Sequence, residues 1–272
     1  MKIASLFAVA ELGLTLALVP ALQARAADAA LQAAIANPKR SPAFVKRDAV
    51  RHPQEELEFF GLRADMTVVE VSPGGGYWTE ILAPYLKAAG TYYVAVPAPN
   101  DPEAPAPGRD AFRKKLAADP DVYGRIHLTE LGPKHYTVAP AGTADLIVTF
   151  RNLHNWMEGG HAPAALEGFF RALKPGGILG VEDHRARDDV AQDPKAKNGY
   201  VRQDYTIELV KKAGFEFIGS SEMNANPRDT KDWPEGVWTL PPTLALKDKD
   251  RDKYIAIGEA DNYVLKFRKP KP

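Results

Sequence analysis

Three consecutive glycines, Gly74, Gly75 and Gly76, follow the apolar run VVEV and its Ser-Pro and precede YWTEIL. A strand that enters a helix through so short a turn needs backbone angles that a Cβ disfavours, and a turn bare of Cβ atoms lets a ligand lie on the main chain. Free N–H groups at the start of the helix then face that ligand, which suits a nucleotide-type group. Glu70 at the strand end offers a carboxylate to a hydroxyl or an amine, and Ser72 and Tyr77 flank the turn. A second chemical group stands in FRNLHNW, with Arg151, Asn152 and His154. Histidine is suited to proton removal near neutral pH, although His154 could equally cap or pack its loop. A third group, VEDH, carries Glu182, Asp183 and His184. Asp183 is placed to orient an imidazole, and the two histidines with Asp183 are metal-ligand types, but no spacing fixes such a site and no metal is expected.

The elements around these groups set their places. Strands are predicted at MTVVEVS, TYYVAVP, RIHLTEL, ADLIVTF, ILGVEDH, EFIGSSEM and NYVLKFRK, from β-branched density and short apolar runs. Helical spacing marks residues 53–62, 77–90, 109–119, 162–177 and 203–213, the fourth stopped by Pro175 and two glycines. The last should bury Ile207, Leu209, Val210 and Ala213. Strands alternating with helices give an α/β fold with a mostly parallel seven-stranded sheet and helices on both faces. Ligands then bind beyond the carboxyl ends of the strands, where all three chemical groups fall. Residues 27–60 form a helical extension, and RHP at Arg51–Pro53 and GYVRQDY at Gly199–Tyr205 fall near the rim. Residues 224–250, with Trp233 and Trp238, form an insertion: a lid or a packed excursion over the sheet edge. LKDKDRDK is read as a solvated charge run.

Composition narrows the field. With 35 basic and 35 acidic residues the chain lacks the basic excess of a nucleic-acid binder. Without cysteine it has no disulfide, thiolate nucleophile or cysteine-held metal. Lys2, the apolar stretch Ile3–Leu22 and the Ala24/Ala26 pair read as a signal peptide over residues 1–26. A periplasmic or secreted single domain starting near Ala27 is expected, with no stable membrane span after cleavage.

VVEVSPGGGYWTEILAPYL resembles the first motif of class I S-adenosylmethionine-dependent methyltransferases, acidic-x-Gly-x-Gly-x-Gly. Glu70 matches the acidic residue and Gly74 and Gly76 the second and third glycines, while Ser72 stands at the first. ADLIVTFRNLHNW resembles the fourth strand with its substrate-side residues, and FFRALKPGGILGVEDH the approach to the fifth. PGGGYWTEILAPYL, FRNLHNW and DHRA are similar to an uncharacterised group of exported predicted methyltransferases. The resemblance implies a Rossmann-like fold, S-adenosylmethionine as cofactor, and Glu70, Ser72, Gly74, Gly75, Gly76 and Tyr77 as its cradle. LHNW resembles the LH-x-W segment of small-molecule O-methyltransferases, which implies His154 as general base, with Arg151, Asn152, Asp183 and His184 on the acceptor side. Pro97 stands where the family carries the acidic residue that binds ribose, and Asp101 follows several residues later. The alternative is an exported protein that keeps the fold and transforms another small molecule in the same cleft.

Overall fold

The structure, a computed structural model, describes residues 28–98 and 106–272. The export segment read at residues 1–26, and Asp101, lie outside the described residues. Seven strands run in the order β3-β2-β1-β4-β5-β7-β6. They are β1 (Thr67–Val71), β2 (Thr91–Pro97), β3 (His127–Leu131), β4 (Ala144–Phe150), β5 (Leu173–His184), β6 (Glu216–Ser221) and β7 (Asn262–Arg268). The first five pair in parallel, and β7 runs antiparallel between β5 and β6.

Strand β1 shows why the sheet needs cover on both sides. Val69 and Val71 enter one core with Ile147, Leu179 and Phe267, and Val68 enters the other with Val94, Leu146 and Val148. A run apolar at successive positions has no side to give to water. Helices α8 (Leu153–Glu158), α9 (Ala162–Ala172) and α10 (Gln203–Lys212) cover the first face. The second face carries α1 (Ala29–Ile35), α4 (Pro53–Phe60), α5 (Thr79–Leu86) and α6 (Ala106–Ala118). Short helices α2 (Pro42–Val45), α3 (Asp48–Arg51) and α7 (Pro120–Tyr123) complete this side, and α11 (Arg251–Ile257) precedes β7.

Two elements depart from the sequence reading. Helix α9 stops at Ala172, and β5 begins at Leu173, before Pro175 rather than after the glycines. Pro175 bars helical angles at Lys174, so the chain extends early and meets β4 through an irregular register between Ala144 and Leu146. The charge run at residues 246–253 leads into α11, whose Tyr254 is buried. In α10 only Thr206 and Val210 are fully buried, while Ile207, Leu209 and Ala213 are partly buried against the core.

The segment 224–250 is packed. Val237 and Leu240 join Tyr200 and Tyr254 in a third apolar cluster. Asp229 ties it down: the Tyr200 hydroxyl donates at 2.9 Å, the Trp233 indole N–H at 2.7 Å and the Asp261 N–H at 2.8 Å. Among the described residues no helix is long and apolar enough to cross a membrane.

Candidate active site

A cavity of about 300 Å³ opens over the carboxyl ends of β1, β4 and β5. Its wall includes Gly74 and Gly75 from the glycine turn, His154 from α8, His184 from β5, and Trp238 and Pro241 from the packed segment. The three chemical groups separated in the chain by up to 110 residues therefore share one space, and the 224–250 segment supplies its roof.

The turn after β1 is built for close approach. Gly74 has φ +56°, and a Cβ there would find no atom within 4 Å, so the turn lies bare to the cavity. A Cβ on Gly75 would come 3.3 Å from the Phe44 ring. Gly76 is also packed. It lies outside the cavity wall, where a Cβ would meet the Phe112 ring at 3.1 Å. Ser72 and Arg151, at the ends of adjacent strands, hold φ of +52° and +62°, a conformation costly for a residue with a side chain and concentrated at functional sites. The Asn152 amide locks these two turns together. Its Nδ2 donates to the carbonyls of Phe150 (3.1 Å), Val71 (3.2 Å) and Ser72 (3.3 Å), so Asn152 shapes the cradle through the main chain.

Glu70 is 1% exposed. Its Oε2 accepts from the Thr79 hydroxyl at 2.7 Å and from the Tyr92 hydroxyl, while Oε1 has no protein partner. Burial pushes the carboxyl up to about 7, against the pull of the two hydroxyls. The Tyr77 hydroxyl donates to Asp48 at 2.6 Å, and its ring carries the Arg51 guanidinium at 4.4 Å from the ring centre. Arg51 Nη2 donates to Glu182 at 3.1 Å, yet its Nε has no protein partner. The Trp78 indole N–H, also in the cavity wall, lacks one as well, while its ring stacks on Phe150 at 3.9 Å.

Arginines of the extension and of β4 meet at one carboxylate. Arg47 Nε and Nη2 donate to Glu259 at 2.6 and 2.8 Å, and Arg151 Nη1 donates at 2.6 Å. Burial alone would raise the Glu259 carboxyl; the two guanidinium groups override it and hold it at about 2. Arg151 is thus a strut as well as a wall residue. The sequence reading flagged Arg51 as a rim residue but missed Arg47 and Glu259, which are 212 residues apart and have no shared motif. Of the GYVRQDY string, Tyr200 is buried beneath the roof, while Arg202 pairs with Asp204 at the surface.

The two histidines are oriented in matching ways. The His154 Nδ1–H donates to Asp183 Oδ1 at 2.8 Å, and its main-chain N–H to Oδ2 at 3.0 Å. The His184 Nδ1–H donates to Asn262 Oδ1 at 2.7 Å. With Nδ1–H donated to its partner in each ring, Nε2 is the nitrogen that carries the lone pair of the neutral imidazole. Asp183 is fully buried; burial would raise its carboxyl, but the adjoining imidazole of His154 and the His184 N–H lower it. Burial depresses His184 to about 3, so its ring stays neutral. Ligand atoms of His154, Asp183 and His184 lie within 4.8 Å of one another, the spacing of a possible metal group. Asp183 Oδ1 already accepts two N–H donors and Oδ2 one, so the carboxylate is largely engaged within the protein.

Residues 45–220 match the model of a methyltransferase domain. The chain belongs to that family. Among solved structures, this methyltransferase-domain protein is similar to a SAM-dependent methyltransferase from Aquifex aeolicus, at 16% identity and a TM-score of 0.54, over 85% of this chain and 100% of the other. It is also similar to the [4+2]-cyclase SpnF, at 18% identity and a TM-score of 0.55, over 89% and 92%. A phosphoethanolamine N-methyltransferase 2 from Haemonchus contortus, solved with S-adenosyl-L-methionine, is 14% identical with a TM-score of 0.54, over 81% and 53%. No curated protein matches the chain. At these identities the structural likeness carries the fold, and the site chemistry has to come from the side chains of this chain.

Proposed function

We propose that the protein is an S-adenosylmethionine-dependent methyltransferase that modifies an oxygen of a small molecule, with His154 as general base. The observation that carries this reading is the His154–Asp183 pair, 2.8 Å long and buried, on a ring that lines the same cavity as the bare glycine turn. The wall fits the amino-acid end of the cofactor. Its three unpartnered polar atoms are one acceptor, Glu70 Oε1, and two donors, Arg51 Nε and Trp78 Nε1. An ammonium suits the first and a carboxylate the other two. Gly74 leaves room for the chain between them.

S-adenosylmethionine, when bound, supplies an electrophilic methyl group. The protein's own part is positioning and proton removal. Nε2 of His154 takes the proton of the acceptor hydroxyl as that oxygen becomes the nucleophile. Asp183 keeps Nδ1 protonated and stabilises the imidazolium that results. Trp238 closes the cavity from above, which supports reading segment 224–250 as a lid.

His154→Ala tests the assignment. Methyl transfer to phenolic acceptors should fall about 10²- to 10⁴-fold with cofactor affinity unchanged. Equal turnover in the variant would remove the base role. A second reading, a fold-keeping protein that does not methylate, draws on Pro97 at the ribose position and on the cyclase among its structural neighbours. We also propose export directed by residues 1–26; an intact Met1 in soluble protein, seen by N-terminal sequencing, would overturn it.

A further inference from the structure

We infer that His184 is a second acceptor-binding group and that the substrate is an ortho-dihydroxy aromatic, with one hydroxyl on His154 and its neighbour on His184. The inference rests on the methyl-transfer reading for the role of His154, and on geometry for the rest. The two rings come from different elements, the first turn of α8 and the end of β5, yet lie 5.3 Å apart and line one cavity. Each spends its Nδ1–H on a fixed acceptor, Asp183 or Asn262. His184 stays neutral, so its free nitrogen can only accept. Two adjacent acceptors cannot satisfy each other, and a ligand with one hydroxyl leaves one of them unpaired. A ligand with two neighbouring hydroxyls satisfies both.

Competing occupants fit less well. A divalent ion would find two imidazoles and a carboxylate already engaged by three N–H donors, whereas catalytic zinc sites use three protein ligands. An aromatic alcohol is favoured over an aliphatic one because a phenolic proton, with pKa near 10, lies within reach of an imidazole. Trp238 stands edge-on to the His154 ring at 6.1 Å and offers an apolar roof to a flat ring.

The test is titration calorimetry on the full chain with benzene-1,2-diol, benzene-1,3-diol and phenol, with and without S-adenosylhomocysteine. The 1,2-diol should bind about tenfold or more tightly than the other two, because only it pairs both nitrogens. His184→Phe should bring the 1,2-diol down to the affinity of phenol, closing the gap of about tenfold between the two. Should that variant fail to fold, the comparison of the three ligands on the wild type decides alone. Equal or undetectable binding of all three overturns the proposal, as does 1,2-diol binding that is lost with a chelator and restored by zinc. Discrimination without any methyl transfer would sink the methyltransferase reading and leave this one standing. Equal methylation of phenol and the 1,2-diol would do the reverse.

Discussion

Replacing Glu70 with Gln should stabilise the protein in alkaline solution and weaken its cofactor binding. The carboxyl is pushed to about 7 by burial, from an ordinary 4.5. A folded-state value above the unfolded one means that the folded chain holds the proton more tightly. Stability conferred by the protonated form is therefore complete below about pH 4.5, declines as pH rises, and is gone above about pH 7. Ionising a carboxyl held at about 7 instead of 4.5 corresponds to a cost of about 3 kcal/mol at pH 8, at about 1.36 kcal/mol per tenfold change in proton affinity. The amide oxygen of Gln can still accept from Tyr92 and Thr79, so the variant loses the charge and keeps the contacts. Urea denaturation of both proteins at pH 4, 5, 6, 7 and 8 should show a gap near zero at pH 4, about 1 kcal/mol at pH 5, and about 3 kcal/mol in favour of the variant at pH 8. A gap that stays constant with pH would refute the account of Glu70 as a desolvated carboxyl. Saturating cofactor should narrow the gap at pH 8, because an ammonium beside Oε1 favours the carboxylate.

Further outcomes follow from single contacts. Asp183→Asn should lower turnover by more than tenfold while cofactor affinity holds, because the carboxylate that fixes the His154 tautomer is gone; single-turnover kinetics with equilibrium binding separates the two. Trp238→Ala should raise KM for the acceptor and leave cofactor affinity unchanged, since the ring belongs to the roof. Gly168→Ala should lower stability by about 1–3 kcal/mol in urea titration, because the new Cβ would sit 2.3 Å from the Tyr136 carbonyl oxygen.

Much of this architecture was legible in the chain because local chemistry and tertiary context agree. Val68, Val69 and Val71 put apolar side chains on both faces, as an interior parallel strand requires, and the glycines that follow mark its turn. The convergence of Glu70, His154, Asp183 and His184 followed from placing each at the end of a strand. What escaped is what long-range packing decides. Nothing near Glu259 announces that it will gather Arg47 and Arg151. The second role of Asn152 is also a product of packing: it lines the cavity, and its Nδ2 ties its own turn to the turn after β1. Gly76 fits the family motif, and the nearby Phe112 ring, 3.1 Å from where a Cβ would stand, adds a packing reason for glycine that the motif does not announce. Helix α11 was hidden because its charged start outweighed the apolar residues that follow.

The most direct test of the central claim, that the glycine turn and the His154 pair enclose one cofactor and acceptor site, is a calorimetric titration of S-adenosylmethionine. Wild-type protein should bind one equivalent. Gly74→Leu should lose binding by tenfold or more, because its side chain enters the open space of the cavity beside the turn. Gly142→Leu is the control: its φ of +66° imposes the same backbone strain, of about 1–2 kcal/mol, with nothing within 4 Å and no place in the cavity wall. It should bind as the wild type does. Silence in a well-folded wild-type sample, or binding in Gly74→Leu equal to that in Gly142→Leu, would contradict the claim.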